Sequence, residues 1–165
     1  MLTSWCTQKL LKRWPKTATQ GLATTTVLGD WYANILLVEP EVVLFINERT
    51  LLCVPVPILP MEDFYERFIE QMAYLLHDIG VPVTQIREEM EQMRAYQVGP
   101  TQRMSIVTSL NYMMWRLEEE LFDKKFKSLE RVALRLAEFP LKSIGFRHPR
   151  ELGVELFQQA MQLAP

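Results

Sequence analysis

"WYANILLVEPEVVLFINERT", residues 31 to 50, decides how this chain is read. Two runs dense in β-branched and aromatic residues flank a break at Pro40. That is the pattern of an antiparallel hairpin, because such side chains suit a pleated, half-buried surface and proline interrupts the ladder. The second run closes on the polar knot Asn47-Glu48-Arg49-Thr50. Asn47 and Thr50 suit a turn that satisfies nearby backbone groups, and equally a set of hydrogen-bonding groups presented from a rigid sheet.

Toward the N-terminus, residues 3 to 7 (TSWCT) read as a short strand, and 8 to 14 (QKLLKRW) as one or two basic helical turns stopped by Pro15. Residues 16 to 28, rich in Thr and Ala without a period, predict an internal loop. Downstream, "TLLCVPVPI" continues as a third strand. Its far end belongs at a sheet edge, since Pro55 and Pro57 have no N–H to donate.

After Pro60 the period changes from two to three and four. Phe64, Tyr65, Phe68, Ile69, Met72, Leu75 and Leu76 mark a helix, with Glu62 and Asp63 at its start and Gly80 just past its end. Residues 84 to 93 form a charged helix with a thin seam of Ile86, Met90 and Met93, and 94 to 99 return as a strand. From 105 to 122 an amphipathic helix sets Ile106, Leu110, Met113, Leu117 and Leu121 on one side. Ser105, Thr108, Ser109, Tyr112, Arg116 and Glu119 lie on the other. Helices over 128 to 139, ended by Pro140, and 149 to 163, opened by Pro149, complete the chain. The expected fold is α+β in a single domain over 1–165: a small antiparallel sheet from the N-terminal third plus one later strand, with four to five helices on one face.

Composition narrows the function classes. The chain has 165 residues, 48% hydrophobic and 23% charged, with a net charge of −2. That supports a core without staples and gives no general pull toward phosphate backbones, so broad nucleic-acid affinity is disfavoured. Cys6 and Cys53, each in an apolar stretch, fit buried thiols in a reducing compartment. The first residues lack the apolar core of a signal peptide, and no window reaches a membrane span. The expectation is a soluble cytoplasmic protein without membrane association.

Chemistry-bearing motifs are sparse. His77 and His148 have no partner at metal-ligand spacing, and His77 suits the negative end of its helix. No phosphate-cradling glycine motif, nucleophile elbow or zinc-protease helix occurs, so no metal and no cofactor is predicted. Lys9, Lys12, Arg13 and Lys16, interleaved with Trp5 and Trp14, are the one candidate nucleic-acid-binding segment, because cations with aromatics can grip backbone and bases. The hydroxyl-rich face of the 105 to 122 helix, with Asn111 at its flank, is the more informative polar candidate. Ser105 there also suits an N-cap.

Taken together, "CTQKLL", "DWYAN", "LFINERTLL", "SIVTSLNYM" and "PLKSIGFRHP" resemble a family of short bacterial proteins known only as a domain of unknown function. The resemblance spans residues 3 to 150, with the Thr/Ala-rich loop where that family varies in length. A Trp-x-Ala-Asn signature is matched by Trp31, Ala33 and Asn34, and an Asn-x-x-Thr signature by Asn47 and Thr50. The family's later helix opens as Asn-Arg-Ser and continues through Gly-Ser-Met-Asn-Asp. Here Ser105, Ser109 and Asn111 fit, whereas Arg103, Met104, Thr108 and Tyr112 replace Asn, Arg, Gly and Asp.

The resemblance implies a fold and a polar site of Trp31, Asn34, Asn47, Arg49, Thr50, Arg103, Ser105, Ser109 and Asn111, where the knot meets the first hairpin strand and the start of the later helix. It implies no activity. By association with mobile or accessory genes it implies partner binding. Nine Met and four Trp residues point the same way, toward a non-enzymatic module that binds a protein partner or itself. The rival readings are a nucleic-acid-associated factor built on the N-terminal cations, and a hydrolase or nuclease built on Asn47, Arg49, Thr50, Ser109 and Asn111.

Overall fold

A computed structural model describes residues 1–14, 23–123 and 128–163. The central hairpin is β2 (Trp31–Leu36) against β3 (Val42–Asn47), antiparallel, with Trp31 opposite Asn47 and Leu36 opposite Val42. Strand β4 (Cys53–Pro57) continues the antiparallel run on β3 and forms one sheet edge, where its prolines can be accommodated. Strand β1 (Leu2–Cys6) lies parallel between β2 and β5 (Tyr96–Pro100), giving the order β4-β3-β2-β1-β5. The sheet is therefore mixed, and the expectation of a wholly antiparallel sheet is corrected. Consecutive strands that pair in parallel, as β1 and β2 do, need a crossover, which has no short turn signature in sequence.

Among the described residues six α-helices surround the sheet: α1 (Gln8–Leu11), α2 (Phe64–Ile79), α3 (Val83–Met93), α4 (Met104–Phe122), α5 (Leu129–Leu136) and α6 (Pro149–Leu163). They cover both faces, not one, which corrects the second architectural expectation. Val43 and Phe45 of β3 point into one core with Phe64 and Phe68 of α2, Leu10 of α1 and Phe157 of α6. Val42, Leu44 and Ile46 point into a second core with Leu110, Met113 and Leu117 of α4. A strand buried on both faces reads as a continuous apolar run, which is why "VVLFI" shows no alternation.

Helix α2 ends where expected: Gly80 adopts φ 100, and its N–H donates to His77 O. Helix α5 sits at the β4 edge. Val132 and Leu136 belong to the α4-side core, while Ala133 and Ala137 belong to the α2-side core. Lys16, Pro15 and most of the expected 16 to 28 loop lie outside the described residues.

Candidate docking surface on helix α4

The Asn47 knot is consumed by its own fold. Asn47 is fully buried, and its Nδ2 donates to Leu28 O at 2.9 Å and Asp30 O at 3.2 Å. Its Oδ1 accepts from Arg49 N (3.1 Å), Thr50 N (3.0 Å) and Thr50 Oγ1 (2.9 Å). One amide thus closes the β3-β4 turn and ties it to the segment entering β2. Arg49 reinforces that tie from outside, donating to Val27 O at 3.0 Å. It lies over Gly29, whose φ of +77 favours glycine; a Cβ there would stand 2.7 Å from Arg49 Nε and displace the guanidinium.

From the other side, the buried Glu89 of α3 accepts from Val27 N at 2.8 Å and Leu28 N at 2.9 Å. Burial pushes this carboxyl above its ordinary value, and the two N–H groups oppose the rise. Sequence reading missed Glu89 because it sits within "REEMEQ", a charge run that resembles a solvated face.

The other family-type positions scatter. Trp31 is fully buried on the α2 side, packed edge-on against Phe68 at 5.1 Å. Asn34 Oδ1 accepts from Thr7 Oγ1 at 2.6 Å and from Ile35 N, joining β2 to the end of β1. The knot does reach the start of α4: Glu48 pairs with Arg103 at 3.3 Å, and Arg103 N donates to the Tyr32 hydroxyl. Arg103, not Ser105, is the N-cap residue of α4. Of Asn47, Arg49, Thr50, Ser109 and Asn111, only Ser109 lines the cleft beside α4. Ser109 Oγ donates to Ser105 O at 3.3 Å and lies 3.5 Å from Ser143 Oγ; neither neighbour is a base that would activate it.

The N-terminal cations are divided as well. Lys9 and Lys12 are exposed, but Arg13 pairs with Glu41 at 2.6 Å. Trp14 is buried beside Phe64 and Tyr65, with ring centroids 5.0 and 6.0 Å away, so it has no free face for a base. Trp5 donates its Nε1–H to Asp30 and covers Gly99. Among the described residues no three His, Cys, Asp or Glu side chains converge as a metal site requires. No described helix is long and apolar enough to cross a membrane.

Among the described residues the outer face of α4 is one surface the fold leaves open. Leu110, Met113, Met114 and Leu117 are buried, and the opposite side carries Met104, Tyr112, Trp115 and Phe122 in solvent, from 45% exposed for Tyr112 to 74% for Met104. Tyr112 and Trp115 touch, with centroids 5.9 Å apart, and Arg116 stacks over Phe139 at 3.8 Å on the flank. Beside them a cleft of about 670 Å³ is lined by Thr108, Ser109, Tyr112, Pro140, Leu141, Lys142, Ser143 and Phe146.

Phe146 follows Gly145, and both adopt left-handed backbone, φ 60 and 67. That conformation costs a bulky residue roughly 1–2 kcal/mol. Here it holds a ring that is 68% exposed at the rim of the cleft. Exposed apolar side chains beside a cleft bind by burying surface.

Sequence reading placed Thr108, Ser109 and Tyr112 on this outer face but overlooked Met104, Trp115 and Phe122. Their spacings of eleven and seven residues carried the signal, because each returns to the same side of a helix. No curated protein and no solved structure matches the chain. A family model does match, over residues 5–152, and the chain belongs to that family, described as a domain of unknown function (DUF6933).

Proposed function

We propose that this protein is a non-enzymatic interaction module of the cytoplasm that docks a protein, or itself, through the outer face of α4 and the cleft beside it. The observation that carries the reading is the exposure of Met104, Tyr112, Trp115 and Phe122 along one face of α4, with Phe146 held outward across the cleft in a left-handed conformation. Large exposed aromatic groups on a rigid helix are the usual anchors of protein interfaces. Cys6 and Cys53 are free, buried and in different cores, which supports a reducing compartment.

The test is site-specific photocross-linking in the host, with a benzophenone side chain at position 112 or 115 and a control at the exposed Tyr74 of α2. A discrete protein adduct at 112 and 115, absent at 74, is expected. Equal labelling at all three positions, or nucleic acid in the purified material that is released by salt, would overturn the reading.

A further inference from the structure

We infer that the occupant of the α4 face is a second copy of this chain, packed antiparallel on it about a two-fold axis that crosses the outer face of the helix at the level of Met113. The inference rests on the docking reading above and supplies its partner. Area is the first argument. Aromatic side chains of this kind offer about 150–250 Å² each when fully buried. At their observed exposure, Met104, Tyr112, Trp115, Phe122 and Phe146 together offer on the order of 600 Å², near the ~800 Å² per partner of a stable interface once polar neighbours are added.

Register is the second argument. Met113 is midway between Met104 and Phe122, which at about 1.5 Å per residue lie roughly 13 Å to either side. An antiparallel copy therefore sets Met104 of each chain against Phe122 of the other. It also sets Trp115 opposite Asn111 and keeps both Tyr112 rings close to the axis. One surface satisfies itself at both ends and in the middle, which is what an isologous contact requires.

Charge chooses the direction. Of the three carboxylates in the last turns of α4, Glu119 pairs with Arg116 at 3.1 Å and Glu120 with Arg135 at 2.8 Å, so Glu118 is the one that decides the direction. A parallel pair would bring the two Glu118 carboxylates together, whereas the antiparallel pair turns each toward the first turn of the other helix, the positive end of its dipole. Glu118 then faces the Thr108 hydroxyl of the other copy.

The experiment combines sedimentation over a wide concentration range with cysteine pairing in the full chain. Cys6 and Cys53 are buried and do not interfere. A concentration-dependent dimer is expected, weakened by about thirtyfold or more in Trp115→Asp, the scale of a buried aromatic anchor, with an unchanged far-ultraviolet circular dichroism spectrum. Under oxidation, Met104→Cys mixed with Phe122→Cys should form the crossed disulfide, with neither variant bridging to itself. Self-bridging of Met104→Cys would overturn the antiparallel arrangement. A monomer at all concentrations, with photocross-linking at 115 to a different protein, would overturn the second copy while the docking face stands. A monomer with no adduct at 112 or 115 would remove both.

Discussion

Replacing Asn47 with alanine separates the two meanings of the polar knot. The side chain makes five hydrogen bonds in a fully buried position. Alanine leaves two carbonyls, two N–H groups and one hydroxyl without it. Solvent can reach some of them after relaxation. Each of the rest costs roughly 1–3 kcal/mol when buried and unpaired, so a loss of about 3–5 kcal/mol is expected, at the upper end for point substitutions. With a urea m-value of about 2 kcal/mol per molar, the unfolding midpoint should fall by roughly 2 M. Asn47→Asp should be no milder, because it keeps the acceptor but turns an anion toward Leu28 O and Asp30 O. If Asn47→Ala unfolds within about 1 kcal/mol of the parent while partner binding is lost, the knot is a recognition site and the structural reasoning is wrong.

Three further expectations follow from buried groups. The carboxyl of Glu89 is raised in the fold, so its contribution to stability is complete at acid pH and declines as pH climbs through the raised value. Urea midpoints from about pH 4 to about pH 8 should show the parent losing stability relative to Glu89→Gln over that climb; a constant gap refutes the assignment. Trp14→Ala should cost about 3–5 kcal/mol by opening the aromatic core, whereas Lys9→Glu with Lys12→Glu should leave the melting temperature nearly unchanged. Fluorescence-monitored unfolding of both checks this. Burial pushes the thiols of Cys6 and Cys53 upward, so a colourimetric thiol reagent should react with neither in the native protein and with both in denaturant. Rapid native labelling would contradict their placement.

Local chemistry made the helices and the hairpin legible. The three-and-four spacing from Phe64 to Leu76 and the glycine at 80 announce α2, and Pro55 with Pro57 announces an edge strand; both are properties of a few neighbouring residues. Parallel placement of β1 between β2 and β5 depends on where two crossovers land, which no short window records. For the same reason the sequence predicts helices on one face only: the uninterrupted apolar run of β3 does not say what covers each side.

The site shows the same limit. Asn47 and Thr50 stand out as polar groups at a strand end, but the acceptors that absorb Asn47, Leu28 and Asp30, lie 19 and 17 residues upstream. Helix α4 was visible as amphipathic. A one-sided apolar tally, however, passes over Trp115 and Phe122 because the buried stripe was already complete without them.

The position of α5 has a thermodynamic consequence. A sheet with separate helical layers on its two faces could melt one layer at a time. Here a single short helix wraps the β4 edge and contributes alternate side chains to each core, Val132 and Leu136 to one and Ala133 and Ala137 to the other. Loosening either layer removes support from the helix on which the other relies. The two faces are thereby coupled into one cooperative unit, so amides in α2 and α4 should share a common hydrogen-exchange opening free energy despite lying on opposite sides of the sheet.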